Sequence, residues 1–285
     1  MSLVVTRFAP SPTGWLHLGH AFAAIFAHDH ARNAGGRFLL RLEDIDSTRA
    51  RPEYETALYE DLSWLGLTWE LPMRRQSDHF ADYAAALDQL RAQGLLYPCF
   101  CTRREIQDEI AHAGQAPHGP DGVLYPGTCR ARSEAERADI IATGQPYALR
   151  LDVAQAVARV GKELRWEDAA DGSHIATPQI FGDVVLARKD TPASYHLAVV
   201  VDDALQGVTL VTRGADLLPA THLHRLLIAL LDLPVPQWHH HALILDEAGK
   251  RLAKRDNVRA LRTLRDEGWT PEQVRAALPR TTCIR

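Results

Sequence analysis

Two histidines near the start of the chain, His17 and His20, stand three residues apart within residues 7–20, which read RFAPSPTGWLHLGH. This segment follows a short apolar stretch and leads into a helical pattern over residues 21–33, and its prolines and glycines suit a tight turn from strand to helix. Positions three apart share one face of a helix, so both imidazoles lie together at its first turn. The spare N–H groups of a helix N-terminus and two imidazoles together form a place to hold a phosphate chain.

A second segment, near the other end of the chain, concentrates positive charge. Residues 250–256 read KRLAKRD beside Gly249, which places two to four cations in one loop. Such a loop suits a polyphosphate and its charged transition state. Taken alone, a basic loop is typical of a solvated turn, and a His-x-x-His pair is typical of surface or core positions. The interpretation of each segment therefore depends on how many of its residues match a known signature.

The first segment matches a known signature over most of its length. Residues 9–14 followed by residues 16–20 resemble the HIGH motif of class I aminoacyl-tRNA synthetases, in the form carried by glutamyl-tRNA synthetases. The glutamine-specific relatives normally read differently here, so this form favours glutamate. Residues 40–46 and 195–203 resemble further segments of the glutamyl enzymes, in the same order. The resemblance covers essentially the whole chain.

The basic loop resembles the partner KMSKS motif of the same family, with Lys254 at its second lysine. Arg251 and Ala253 stand where lysine and serine are often found, but the cationic character is kept. The resemblance implies that the chain activates glutamate with ATP, giving glutamyl-adenylate and pyrophosphate. It implies catalytic roles for His17, His20 and Lys254, and ATP binding by His17, Gly19, His20 and Lys254. Magnesium is expected to accompany ATP.

Glutamate carries two carboxylates and one ammonium, so its pocket needs cations and at least one anion. Arg7 and Arg213 offer planar bidentate donors for carboxylates, Glu43 offers an anion for the ammonium, and the Tyr195 hydroxyl could fix orientation. Each arginine alone is typical of a surface ion pair at a strand end. The resemblance implies that the residues contacting glutamate are Arg7, Ala9, Ser11, Glu43, Tyr195 and Arg213.

Three cysteines have the spacing and chemistry of a structural zinc site, since thiolates select zinc and a tetrahedral site needs four ligands. The ligands would be Cys99, Cys101 and Cys129, although ordinary buried thiols are the alternative. The fourth ligand stays open at this point: the resemblance to short glutamyl-synthetase relatives implies Tyr125, whereas chemistry alone favours His112 or His118.

Other histidines and cysteines receive simpler interpretations. The run His239-His240-His241 could be mistaken for a metal cluster, but consecutive residues do not share one face, so we expect packing, with one of them near ATP. Cys283, in the terminal tail, is interpreted as a bystander.

The composition sets the broad class. The chain has 285 residues, 46% of them hydrophobic, so it can bury a large core. We expect it to form one main domain with an insertion. Its formal net charge of −4 gives no global positive field, but local basic patches are enough for RNA contact. Residues 1–20 lack the pattern of a signal peptide, no apolar run approaches the roughly 20 residues that span a bilayer, and the cysteine pattern indicates a reducing cytoplasm. We expect a monomer without membrane contact.

The order of strand and helix patterns predicts an α/β fold with a doubly wound, parallel, Rossmann-like nucleotide-binding sheet. The predicted strands cover residues 3–8, 37–42, 183–187 and 207–212, with residues 242–245 leading into the basic loop. The predicted helices cover residues 52–65, 78–93 and 217–231, besides the one after His17. The predicted domains are a Rossmann-like catalytic domain over 1–98 and 177–256, an inserted zinc-containing acceptor-type subdomain over 99–176, and a short helical tail over 257–285.

About thirty residues follow Lys254, whereas full glutamyl-tRNA synthetases continue into a helical anticodon-reading portion. The chain thus resembles the short branch of the family that attaches glutamate to queuosine at the wobble position of aspartate tRNA, tRNA(Asp). The cyclopentene diol of queuosine resembles the ribose diol at a tRNA 3′ end. The implied partners are L-glutamate, ATP and queuosine-containing tRNA(Asp). The alternatives are a minimal glutamyl-tRNA synthetase that charges a 3′ end, and a non-catalytic RNA- or nucleotide-binding relative.

Overall fold

The computed structural model describes residues 3–112, 118–244 and 260–279. Its strands are β1 (Val5–Phe8), β2 (Arg37–Leu42), β3 (Arg74–Arg75), β4 (Leu96–Cys99), β5 (His118–Gly119), β6 (Gly122–Val123), β7 (Ala148–Leu151), β8 (Arg165–Asp168), β9 (Gly172–Ile175), β10 (Val184–Ala187), β11 (Leu210–Gly214) and β12 (Gln237–His241). Its helices are α1 (Leu18–Asn33), α2 (Pro52–Trp64), α3 (Phe80–Ala92), α4 (Arg103–His112), α5 (Glu134–Ala142), α6 (Val153–Val160), α7 (Tyr195–Leu205), α8 (Leu218–Leu230), α9 (Leu261–Asp266) and α10 (Pro271–Ala277).

The central layer is a set of parallel strands. Strand β2 pairs in parallel with β1 and β3, and β12 pairs in parallel with β11 and β8. The two groups meet at Thr209, whose N–H donates to the carbonyl oxygen of Val5 at 3.0 Å. The threonine Oγ1 also accepts from the Val5 N–H at 2.9 Å. This arrangement confirms the predicted parallel α/β sheet and brings the carboxyl ends of β1 and β2 to one edge.

Two of the three apolar cores among the described residues hold most of the helices in place. In one, α1 and α2 pack with β2 and the tail helices, and Ala24, Leu42 and Leu261 are fully buried there. In the other, α7 and α8 pack with α3 and α6 around the buried Leu197 and Leu226. The helical pattern predicted for the tail is present as α9 and α10. No helix among residues 3–112, 118–244 and 260–279 is long and apolar enough to cross a membrane.

Two strand predictions were wrong in detail. The segment at 184–187, predicted to resume the main sheet, is β10, and it pairs antiparallel with β7, which also pairs with β4. A short buried apolar run does not reveal which sheet it joins, because either environment buries it. The main-sheet strand near the basic loop is β12 rather than residues 242–245, since residues 242–244 have no regular structure.

The predicted domain boundaries stay a prediction, and two features bear on where they should be drawn. The small antiparallel sheet begins at Leu96, before the boundary placed at residue 99. The hairpin of β8 and β9 lies within the segment predicted as an insertion, yet it joins the main sheet through the pairing of Asp168 with Trp238.

Candidate active site

A cavity of about 260 Å³ opens at the carboxyl ends of β1 and β11 and the first turn of α1. An adjoining cavity of about 460 Å³ shares part of its wall, including Glu43 and Tyr195. The residues predicted to contact glutamate all line one or both cavities: Arg7 and Arg213 the first, Ser11 the second, and Ala9, Glu43 and Tyr195 both. The structure therefore brings the predicted set together, as expected for strand ends at one edge of a parallel sheet.

The predicted phosphate-binding residues form the start of α1. His17 is the N-cap residue, and its Nδ1 accepts from the Gly19 N–H at 3.1 Å. In turn, the His17 N–H donates to Nδ1 of His20 at 3.2 Å, and the ring centroids lie 3.9 Å apart. Both imidazoles and Gly19 line the first cavity. A Cβ at Gly19 would lie 2.9 Å from the His17 ring, so a side chain here would disturb the cap.

Lys254 lies outside the described residues, but the described residues on both sides of residues 245–259 lie close to the cavity or to the start of α1. Leu243 and Ile244, before this segment, line the cavity wall. Ala260, directly after it, forms a β-bridge with His17. The described residues that flank the segment carrying Lys254 therefore lie beside the cavity and the helix start where ATP is predicted to bind.

Beneath the cavity floor lies a buried charge network around Asp203. Arg7 donates from Nε to Asp203 Oδ1 at 2.9 Å and from NH1 to the Thr212 carbonyl oxygen at 3.1 Å. Arg41, which is completely buried, donates to the same Oδ1 at 2.8 Å and contacts Glu43 Oε1 at 3.4 Å. Asp203 thus joins two arginines from β1 and β2, and fixes the guanidinium that faces the cavity.

The carboxylates of this network differ in their tendency to ionise. Burial raises the pKa of Asp203, but Arg7 and Arg41 outweigh that effect and hold it below the ordinary value. Burial raises the pKa of Glu43 above the ordinary value, despite the opposing influence of Arg41 and Arg7. Asp203 therefore is a permanent counter-ion, whereas Glu43 is a carboxylate that gains from a cationic ligand.

Arg213 is held differently from Arg7. It is 6% exposed, and its guanidinium donates to three neutral acceptors: Thr221 Oγ1 at 2.6 Å, His224 Nδ1 at 3.1 Å and His240 Nε2 at 3.2 Å. Burial and the nearby Arg213 lower the pKa of His224 well below its ordinary value, and they lower that of His240 to about 4 although Asp168 opposes this. Among the described residues, no carboxylate forms an ion pair with Arg213, so its charge is left for a ligand.

Several residues that build this site were not singled out from sequence: Arg41, Asp203, Thr221, His224 and Asp168. A charged residue within an apolar strand, as in RFLLRL over β2, is a usable signal for Arg41. For Asp203, the end of the apolar run in α7 is a weaker signal. His224 gives no such signal, because a histidine on an apolar helix is typical of core packing.

The three cysteines form one cluster, and their Sγ atoms all lie within 4.8 Å of one another. Cys101 Sγ is 3.4 Å from Cys129 Sγ and 3.5 Å from the Tyr125 hydroxyl, which also accepts from the Cys129 N–H at 2.8 Å. Burial is outweighed by hydrogen bonds from Tyr125 and the Phe100 N–H, which lower the pKa of Cys129 to about 7. The cluster could hold a metal, and its donor set fits zinc.

The side chains of His112 and His118 lie outside the described residues, as does Cys283, so the structure offers only Tyr125 for comparison as a fourth donor. The His239 to His241 run does not form a metal cluster with other described residues. His239 packs on Phe26 at 4.7 Å between ring centroids, and His241 lines the first cavity. His240, by contrast, binds Asp168 and Arg213.

Comparison with known proteins places this site in a family. The family described as "tRNA synthetases class I (E and Q), catalytic domain" matches residues 3–283. A glutamyl-Q tRNA(Asp) synthetase of Rhodobacter capsulatus is 54% identical over 95% of this chain and 98% of its own length. A glutamate–tRNA ligase of Aquifex aeolicus is 40% identical over 95% of this chain, but over only 56% of its own length.

A solved structure gives the same result. The crystal structure of a glutamate tRNA ligase from Elizabethkingia meningosepticum in complex with its amino acid superposes with a TM-score of 0.78, at 28% identity, over 95% of this chain and 59% of that one. The chain therefore belongs to the class I tRNA synthetases of the glutamate and glutamine type. Within that family, a similar protein that this chain matches over 98% of that protein's length is a glutamyl-Q tRNA(Asp) synthetase.

Proposed function

We propose that this chain activates L-glutamate with ATP and transfers the glutamyl group to queuosine in tRNA(Asp). The observation that carries the proposal is Arg213, a buried guanidinium that lines the same cavity as Glu43 and has neutral hydrogen-bond partners only, in a site that otherwise fits an amino acid and a nucleotide. The relative that this chain matches over 98% of that protein's length is named for this reaction, which supports the same acceptor here.

Arg213 would bind the side-chain carboxylate of glutamate. A buried cation without an ion-pair partner gains most from an incoming carboxylate, and its planar fork favours a bidentate contact. Arg7 would contribute hydrogen bonds more than net charge, because it already forms an ion pair with Asp203. Glu43 would bind the α-ammonium, and Tyr195 would restrict the orientation of the ligand between them. Ala9 and Ser11 would complete the wall.

The reaction begins when an oxygen of the α-carboxylate attacks the α-phosphorus of ATP. The bond from that phosphorus to the bridging oxygen breaks, so glutamyl-adenylate forms and pyrophosphate leaves. His17, Gly19 and His20 would hold the phosphate chain at the start of α1, and Lys254 would stabilise the charge on departing pyrophosphate. Magnesium would accompany ATP and share the phosphate charge. This chemistry depends on positioning and charge stabilisation rather than on a protein nucleophile.

In the second step, a hydroxyl of the acceptor attacks the activated carbonyl carbon, an ester forms and AMP leaves. The cyclopentene diol of queuosine presents two neighbouring hydroxyls, as the ribose at a tRNA 3′ end does. An active site built to acylate one diol suits the other. We expect the protein to act in the cytoplasm as a monomer.

We further propose that Cys99, Cys101, Tyr125 and Cys129 hold one structural zinc ion. The close approach of the three sulfurs and the phenol supports this assignment. Three thiols this close without a metal would repel once ionised, whereas zinc favours the thiolate forms and fixes the chain around them.

Glutamate-dependent exchange between ATP and pyrophosphate, measured without tRNA, tests the first step. We expect exchange with glutamate and little with aspartate or glutamine. Absence of exchange until tRNA is added would contradict tRNA-independent activation, and equal exchange with glutamine would contradict the assigned pocket. The Lys254→Ala variant should fold normally and lose exchange by roughly 100-fold or more, the scale of one lost transition-state donor.

A further inference from the structure

We propose that Asp121, His196 and His224 form a hydrogen-bonded chain that positions Arg213 for the side-chain carboxylate of glutamate. These three would be positioning residues, because only Arg213 would touch the ligand. The inference rests on the proposed function and extends it from the cavity into the hairpin of β5 and β6.

The chain runs without a break from the cavity wall to the protein surface. Arg213 NH1 lies 3.1 Å from His224 Nδ1, and His224 Nε2 lies 3.0 Å from His196 Nδ1. His196 Nε2 then lies 2.9 Å from Asp121 Oδ2. The two imidazoles are buried, whereas the Asp121 side chain is 61% exposed. Three hydrogen bonds therefore link the buried guanidinium to a solvated carboxylate.

The donors in this chain can point in one direction only. A guanidinium has no acceptor, so Nδ1 of His224 must accept from Arg213 and the His224 proton must be on Nε2. That proton is donated to Nδ1 of His196, which places the His196 proton on Nε2, facing Asp121. The carboxylate at the end fixes both tautomers by accepting the last proton. Without Asp121, His196 loses the acceptor that favours a proton on Nε2, and with it the tautomer whose Nδ1 accepts from His224.

The arrangement orients Arg213 without neutralising it. A carboxylate in direct contact would fix the guanidinium but would also compete with the ligand for its charge. Two imidazoles separate the Asp121 carboxylate from Arg213. His240 separates Arg213 from Asp168 in the same way on the other side. The neutral acceptors thus fix the orientation of the Arg213 guanidinium, which retains its attraction for a carboxylate.

The position of Asp121 is set by tight packing of its hairpin. A Cβ added at Gly119 would lie 2.4 Å from the Ile180 carbonyl oxygen and 2.4 Å from Leu124 Cδ2. The neighbouring Phe181 ring also contacts His196, with centroids 5.8 Å apart. Because Gly119 has no side chain, the hairpin can lie this close. A methyl group there should push the hairpin, and Asp121 with it, away from His196.

The test combines kinetics with the tautomer state of the histidines in the full-length protein. In glutamate-dependent pyrophosphate exchange, we expect His224→Leu to raise KM for glutamate roughly 10- to 100-fold, because a buried donor of Arg213 loses its acceptor. Asp121→Ala and Gly119→Ala should each raise it about 3- to 10-fold. KM for ATP should stay unchanged in all three. His224→Gln should return to within about 3-fold of wild type, since an amide keeps one acceptor and one donor.

The control is Asp139→Ala, which removes an exposed carboxylate from α5, the next helix along the chain, and should leave both KM values unchanged. Nitrogen NMR of histidine-labelled protein should show both His224 and His196 protonated on Nε2 and not on Nδ1. A proton on Nδ1 of His224, or an unchanged KM for glutamate in folded His224→Leu, would overturn the proposal. If wild type shows no glutamate-dependent exchange, the proposed function fails instead, and the NMR result still decides whether the chain exists.

Discussion

Replacing Glu43 by glutamine should weaken glutamate binding while leaving the fold intact. Glu43 lies directly after β2, is 11% exposed at its side chain, and lines both cavities. Glutamine keeps the oxygen that Arg41 contacts at 3.4 Å but loses the negative charge. Arg41 retains Asp203 at 2.8 Å, so the buried network keeps its main counter-ion.

The size of the effect follows from the interaction that is lost. A hydrogen bond to a charged group contributes about 1.5–3 kcal/mol, which is roughly a 10- to 150-fold change in an equilibrium constant. We therefore expect KM for glutamate in pyrophosphate exchange to rise by that factor, with KM for ATP nearly unchanged. The control is Glu70→Gln, which removes an exposed carboxylate paired with Arg37.

The pH dependence gives a sharper test of the same assignment. Because burial raises the pKa of Glu43, its protonated form becomes populated at a higher pH than that of an exposed glutamate. The protonated carboxyl cannot pair with an ammonium, so KM for glutamate in wild type should rise as the pH falls toward that raised pKa. In Glu43→Gln this rise should disappear. An unchanged KM in the folded variant, or an identical pH profile, would refute the role of Glu43.

Three further predictions concern other parts of the structure. Arg213→Lys keeps the charge but loses the planar fork, so kcat/KM for glutamate should fall roughly 100-fold or more, while the surface change Arg165→Lys should have no effect. Elemental analysis should find one zinc per chain in wild type and none in Cys129→Ser. Finding no bound metal in wild-type protein that was purified without a chelator would contradict the site. Burial raises the pKa of Asp61 to about 6 despite Arg265, so Asp61 lowers stability as the pH rises from about 4 to about 6. The free energy of unfolding of Asp61→Asn, measured in urea, should therefore exceed that of wild type by about 2–3 kcal/mol at pH 7. This difference should vanish near pH 4.

The strand ends could be predicted from sequence because their signals are local. Turn residues mark the end of β1, in which Arg7 lies, and Glu43 directly follows the apolar run of β2. Once the resemblance implies glutamate as the ligand, the charges of glutamate point to Arg7 and Glu43. The helix that begins after His17 was likewise evident from its pattern. Parallel strands bring such positions together, which is why residues far apart along the chain meet at one cavity.

The supporting residues could not be predicted, because their roles exist only in the packed structure. Asp203 is buried by α7 and becomes a counter-ion only when β1 and β2 place two arginines beside it. The partners of Arg213 come from α8 and β12, and QWHHH in β12 lacks the alternation that marks a strand. Which sheet residues 184–187 join likewise depends on tertiary packing, which the local sequence does not show.

The central claim is that glutamate activated at this site is transferred to queuosine in tRNA(Asp). The most direct measurement uses ATP and radiolabelled glutamate with queuosine-containing tRNA(Asp), followed by nuclease cleavage between the anticodon and the 3′ end. The label should be recovered on the anticodon fragment, protect queuosine from periodate, and be absent when the tRNA lacks queuosine. Label on the 3′ terminal adenosine, or on a glutamate tRNA, would contradict the claim and identify a minimal glutamyl-tRNA synthetase instead.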